Sequence, residues 1–374
     1  MKWSWKIGSY AGIGVYIHTT FLFIIGWVVW THWSAGQSLA MTINGLLFVF
    51  ALFGCVLLHE FGHALTAKKY GIKTREITLL PIGGVARLER MPEDPKQELW
   101  VALAGPAVNV VIAVALFLWL QITSAFEPLE SLTMTGGSFA ERLMLVNVSL
   151  VLFNLLPAFP MDGGRVLRAL LATKKDYARA TQIAASIGQG MALVFGFLGL
   201  FTNPFLLFIA LFVWIGAGQE ASAVQTKSAL GGIPVKLAML TDFRALSPHD
   251  RLTRAIELIL AGSQQDFPVV DDGRVVGVLT RSDLLLALAK QGKDAAVAEV
   301  MQRDFQTVET TEMLESAFAR LQTCACHTLP VVRQQQLVGL ITMENLGEYL
   351  MIESALRGEK IDAGMKARLQ VKHA

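Results

Sequence analysis

The sequence predicts a polytopic α-helical membrane domain of about six transmembrane helices, followed by an α/β module built from an internal repeat. Three observations carry this prediction. Hydrophobic residues make up 53% of the 374 and charged residues 17%, with a mean hydropathy of +0.48, far from a soluble average. The long apolar runs are confined to residues 1–222, and the remainder has an ordinary soluble composition. Residues 239–284 align with 301–346 at a constant offset of 62 without gaps. Three units follow: a transmembrane domain over 1–222, a repeat module over 223–352, and a charged tail over 353–374.

In order, the apolar runs predict spans near Ala11–Trp33, Ile43–Ala67, Leu99–Ile122, Leu143–Pro160, Ala178–Phe201 and Pro204–Gly218, the last one short. The first run is too long and aromatic for a signal peptide, so it reads as a retained helix. Lys and Arg set the orientation. Lys2, Lys6, Lys68, Lys69, Lys73, Arg75, Arg87, Arg90, Lys96, Arg165, Arg168, Lys174, Lys175, Arg179 and Lys227 fall on one side, and Arg142 stands nearly alone on the other. The basic side is therefore expected in the cytoplasm of a cell-membrane protein, with both termini and the repeat module. A net charge of +2 gives no argument for nucleic acid. The three cysteines, Cys55, Cys324 and Cys326, make no disulfide framework and suit a reducing compartment. Cys324-Ala-Cys-His327 reads as buried small residues, with no further Cys nearby to complete a metal cluster.

The chemistry lies in the second span. His59-Glu60-Phe61-Gly62-His63 puts two imidazoles four residues apart, on one helical face, where both can bind one Zn²⁺. Glu60 stands beside them as a base for the attacking water. Three ionisable residues in a hydrophobic helix are expensive and imply function. A third ligand must come from elsewhere, and Asp162 is the best candidate. It lies in Asn154-Leu-Leu-Pro-Ala-Phe-Pro-Met-Asp-Gly-Gly-Arg165, a helix-breaking stretch expected at the same depth. Two imidazoles and a carboxylate leave zinc an open position, the catalytic arrangement. Between spans two and three, Glu76–Glu89 alternates around Gly83-Gly84 and reads as a hairpin or re-entrant loop, whose edge could hold an extended peptide. Span three carries Gly105, Pro106 and Asn109; the buried amide must find a partner and reads as interhelical glue. His18 reads as a hydrogen-bonded structural residue.

HExxH, then GPxxN, then NxxPxxPxDGG resemble the site-2 protease family of intramembrane metalloproteases, over about residues 10–220. The resemblance implies His59, His63 and Asp162 as zinc ligands, Glu60 as catalytic base, and Asn154 and Pro160 as substrate-handling residues. It also implies membrane-spanning substrates, such as anti-sigma factors or membrane-tethered regulators.

In the repeat, each copy reads strand, helix, two short strands, helix. It resembles a tandem CBS domain pair, a Bateman module, with copies near 233–291 and 295–352. The resemblance implies adenine nucleotide (AMP, ADP or ATP) at Thr280 and Asp283, with a hydroxyl for phosphate and a carboxylate for ribose. In the second copy Thr342 is kept but Asn345 replaces the acid. Self-association through the pair is a further implication. The rival class, a CBS-regulated transporter or channel, predicts symmetry between membrane halves and no metal triad. The sequence has the triad and no such symmetry.

Overall fold

The computed structural model describes residues 3–81, 83–89, 92, 94–123, 137–324, 326 and 328–356. The chain divides into two compact units, Met1–Val224 and Gln225–Ala374. The predicted tail beyond 356 and the loop at 124–136 lie outside the described residues.

The first unit opens with strands rather than a span. β1 (Ser4–Tyr10) and β2 (Ile13–His18) form an antiparallel hairpin in which Tyr10 pairs with Ile13. Ala11 and Gly12, at φ 53° and 86°, make its two-residue loop. Positive φ at both positions gives a turn whose twist matches the strands. This corrects the expected first span at Ala11–Trp33. The helix there, α1 (Phe21–Ser34), starts only after His18, whose Nδ1 accepts from the Thr20 backbone N–H and lies 2.8 Å from the Thr20 hydroxyl. At 14 residues α1 is too short to span alone.

α2 (Leu39–Lys69) is 31 residues long and starts at Ser38, whose hydroxyl accepts from the Met41 N–H. β3 (Thr74–Leu80) and β4 (Gly83–Leu88) form the hairpin expected between spans two and three. β3 also pairs in parallel with β2, giving a four-stranded sheet ordered β1-β2-β3-β4, so β4 is an edge. α3 (Pro95–Ile122) begins at Asp94, whose carboxylate accepts from the N–H groups of Lys96 and Gln97. α4 (Phe139–Asn154) carries a capping box between Ser138 and Glu141. It stops at Asn154, short of the expected Pro160, because Pro157 and Pro160 interrupt the helix. α5 (Asp162–Ala172) is short and amphipathic; α6 (Tyr177–Phe201) and α7 (Phe205–Leu230) are long and apolar. α7 is a full-length helix, not the short sixth span expected at Pro204–Gly218.

Among the described residues four helices, α2, α3, α6 and α7, are long and apolar enough to cross a membrane, against about six expected. Their outward faces carry exposed Trp119, Phe197, Phe201, Phe208 and Leu211, apolar surface of the kind that a lipid environment covers.

The second unit repeats itself. α8 (Leu252–Ala261), β5 (Phe267–Asp271), β6 (Arg274–Leu279), α9 (Arg281–Gln291) and α10 (Val297–Val300) lead to β7 (Val308–Glu309), α11 (Leu314–Thr323), β8 (Thr328–Arg333), β9 (Gln336–Thr342) and α12 (Met343–Leu356). Phe267 pairs with Leu279 and Val269 with Gly277; at an offset of 62, Leu329 pairs with Ile341 and Val331 with Gly339. Both hairpins carry a bulge at the same place, Val269/Val270 and Val331/Val332. The cores repeat too: Leu252, Ala255, Phe267 and Leu284 answer to Leu314, Ala317, Leu329 and Leu346. Cys324 and Cys326 are bonded to each other, with Cα atoms 5.2 Å apart, within disulfide reach. Cys326 is fully buried, as the small-residue reading expects, and the pairing is what that reading did not expect.

Candidate metal centre

α2 and α5 supply the centre, and α3 holds both. In α2, His59 and His63 are 6% and 4% exposed, and Asp162, the first residue of α5, is 6% exposed. Such burial of three polar groups demands partners, and they find one another. The two Nε2 atoms are 3.1 Å apart, and Asp162 Oδ2 lies 3.1 Å from His63 Nε2 and 3.2 Å from His59 Nε2. A zinc ion about 2.0–2.1 Å from each of three tetrahedral donors holds them roughly 3.3 Å apart. The spacing therefore fits that ion, as does the donor set of two imidazoles and a carboxylate.

The opposite ring nitrogens fix the tautomers. His63 Nδ1 donates to the carbonyl of Val101 at 2.7 Å, and His59 Nδ1 donates to Asn109 Oδ1 at 2.5 Å. Each carbonyl oxygen can only accept, so each Nδ1 carries its hydrogen and each neutral Nε2 keeps a lone pair for a metal. Asn109 passes the constraint on: its Nδ2 donates to Asn147 Oδ1 at 2.7 Å, and Asn147 donates in turn to the Leu143 carbonyl. Asn109 thus orients His59 rather than serving only to join helices. Asn147, fully buried on α4, belongs to no motif; an amide inside an apolar run was its one signal. Gly105 of α3 lies directly against the donors: a Cβ there falls 2.2 Å from His63 Nε2 and 2.6 Å from His59 Nε2.

Glu60 is half-buried beside the triad and outside it. β4 runs past it, since a Cβ on Gly84 falls 2.6 Å from Glu60 Cγ. Asn154 ends α4 with its Nδ2 donating back to the Leu150 carbonyl at 3.0 Å, and that bond does not reach the triad. Pro160 is exposed, follows a cis peptide bond and rests on α7 at Gly216. Arg168, expected among the solvent-facing positive charges, is fully buried between Glu98 and Glu220.

In the second unit Thr280 caps α9. Its hydroxyl accepts from the Asp283 N–H at 3.1 Å and donates to Asp283 Oδ2, which also accepts from Gln302 at 2.8 Å. Thr342 makes the same cap on the Asn345 N–H. The two predicted clefts therefore share one backbone geometry. In the first, Oδ2 of the acid already has two side-chain donors.

The chain matches the family model of Peptidase family M50 over residues 47–141 and 130–195, and that of the CBS domain over 234–290 and 297–352. It is 32% identical over 320 residues to a zinc metalloprotease of Methanocaldococcus jannaschii, covering 84% of this chain and 87% of that protein. The solved structure of a site-2 protease from Methanocaldococcus jannaschii is 38% identical, covers 59% of this chain and 95% of its own, and superposes with a TM-score of 0.44.

Proposed function

The chain belongs to peptidase family M50, the family of the site-2 proteases, and we propose that it cleaves membrane-anchored proteins at a centre built by His59, His63, Asp162 and Glu60. It is a zinc metalloprotease that carries a CBS pair. The observation that carries the assignment of residues is the convergence of three buried donors, 3.1–3.2 Å apart, although Asp162 lies 99 residues beyond His63 in sequence. A transporter needs no such triad.

Zinc held there supplies Lewis acidity toward the scissile carbonyl and makes a water easy to deprotonate near neutral pH. Glu60 takes that proton as the water oxygen bonds to the carbonyl carbon. It then passes the proton to the amide nitrogen as the C–N bond breaks, leaving a carboxyl and an amine. The edge strand β4, close to Glu60 at Gly84, supports a substrate lying extended along it, since a free edge offers backbone donors and acceptors. A transmembrane helix must unwind to be hydrolysed, and strand addition replaces the hydrogen bonds it loses. Asn154 at the end of α4 and Pro160 in the break before α5 are substrate contacts in this reading.

The basic residues around α2, α5 and α6 support a reading in which the centre is near the cytoplasmic face and both termini and the CBS pair are in the cytoplasm. Substrates on that reading are single-span regulators such as anti-sigma factors. Adenine nucleotide binds at Thr280 and Asp283, with Thr342 in the second cleft; its binding modulates cleavage if the nucleotide prefers one arrangement of the pair. The test of the centre is Glu60→Gln in the purified full-length protein. The variant keeps its zinc, and cleavage of a single-span substrate falls by about 10²–10⁴. Wild-type cleavage by Glu60→Gln refutes the reading.

A further inference from the structure

A charged cluster six residues beyond Asp162 has no part in the chemistry above. Arg168 of α5 is 0% exposed and Glu98 of α3 is 1% exposed. Arg168 Nε donates to Glu98 Oε1 at 2.7 Å, and Nη2 lies 2.5 Å from the same oxygen. Nη1 donates to Glu220 Oε1 of α7 at 2.5 Å. The guanidinium is stacked between two rings, with Cζ 5.0 Å from the centroid of Phe159 and 4.9 Å from that of Tyr177. Tyr177 also reaches Glu98 Oε1 with its hydroxyl at 3.4 Å.

Taking a guanidinium and a carboxylate out of water is costly, and packed apolar residues often serve stability as well or better. The arrangement therefore calls for a geometric purpose, and α3 shows one. Glu98, Val101, Gly105 and Asn109 follow one another at three- and four-residue steps and share a helical face. Val101 and Asn109 hold the outer nitrogens of His63 and His59, and Gly105 lies against their inner ones. Both histidines are thus indexed to α3. Asp162 bonds to the two histidines of α2 and reaches its place through α5, which Arg168 fastens to Glu98 on that same face. Phe159, stacked on Arg168, belongs to the short stretch leading into Asp162, so the guanidinium holds both sides of the carboxylate's anchor.

We propose that Arg168 is a positioning residue for the zinc centre. Through Glu98 it sets Asp162 in register with His59 and His63, and Glu220 on α7 is its second anchor. The proposal rests on Asp162 being the third ligand. A planar fork with several donors suits this task, whereas a lysine ammonium is a point charge on a flexible stem, without that fixed geometry.

The test uses the full-length protein in detergent, with zinc release to a chelator, the visible spectrum of the cobalt(II)-substituted protein, and kcat and KM on a single-span substrate. In Arg168→Lys and Glu98→Gln, zinc leaves about 10–100-fold faster, in the range for lost ligand-orienting partners. The cobalt bands change, and kcat falls while KM holds. Arg168→Lys is milder than Arg168→Met, and Glu220→Gln, which keeps the Arg168–Glu98 pair, is mildest. If Arg168→Met does not fold, Arg168→Lys and Glu98→Gln decide. Should these two melt at lower temperature yet match wild type in zinc release, cobalt spectrum and kcat, the cluster is structural only and the proposal falls. Asp162→Ala separates the two layers. If it holds zinc as wild type does, the ligand assignment itself fails. If it loses zinc while the Arg168 variants behave as wild type, only the positioning role fails.

Discussion

Replacing Gly105 by alanine tests the centre with a single methyl group. The new Cβ falls 2.2 Å from His63 Nε2 and 2.6 Å from His59 Nε2, while ordinary contact begins at 3.4 Å. The rings or α3 must therefore give way by about 1.2 Å at His63 and 0.8 Å at His59, the differences between 3.4 Å and those distances. Zinc–ligand distances tolerate only about ±0.2 Å, so the adjustment cannot be absorbed with the metal in place. A displacement of about 1 Å at a reacting centre costs on the order of 10²-fold in rate. Intrinsic propensity points the other way, since alanine is better than glycine in a helix interior by about 1 kcal/mol. Gly105→Ala should thus keep the helix propensity of α3, lose zinc during dialysis against a weak chelator, and cleave a single-span substrate about 10²-fold more slowly. Gly54→Ala in α2 is the control, because nothing lies within 4 Å of its Cβ; it should keep both zinc and rate. Gly105→Ala protein that retains one zinc per chain and a rate within about threefold of wild type would refute the reasoning.

Asn109→Ala removes the acceptor on His59 Nδ1 and strands Asn147, so zinc affinity should drop about 10–100-fold, read by competition with a chelator of known affinity; unchanged affinity shows that the Asn109 contact does not orient the ligand. In the second unit, Asp283→Ala should weaken adenine-nucleotide binding to the full-length protein, measured by calorimetry, and flatten any nucleotide dependence of cleavage without touching zinc content. No heat with AMP, ADP or ATP at millimolar concentration removes the nucleotide reading. For topology, single cysteines placed in the 124–136 loop should react with an impermeant thiol reagent from outside the cell, and a cysteine at Lys227 should not; labelling at 227 from outside inverts the proposed orientation.

Much of this was legible along the chain. The two histidines are four residues apart, so their common face follows from helix periodicity alone, with Glu60 next to it in sequence. The hairpin around Gly83-Gly84 followed from alternation and glycine, and the CBS repeat from an offset that returns in the strand register itself. The first span, expected at Ala11–Trp33, was misread because Ile13–His18 is apolar enough to run on into Phe21–Ser34 as one membrane helix. Its alternation and its turn at Ala11-Gly12 were local signals of strands, but the partner that stabilises β2 is β3, more than fifty residues away in sequence. α4 was extended too far because hydropathy does not see where prolines end a helix.

The sequence by itself determined which chemical groups are present, and it determined the local geometry that places His59, Glu60 and His63 together, because the helix repeat is short-range and independent of the rest of the fold. Only the tertiary structure decided that Asp162 completes the set, that Asn109 and Val101 choose the imidazole tautomers, and that Arg168 is buried between Glu98 and Glu220 instead of facing water. Those contacts join residues 38 to 99 positions apart in sequence. They depend on how α3 packs against α2 and α5, and helix packing is set by side-chain surfaces meeting across space, which no spacing within one segment encodes.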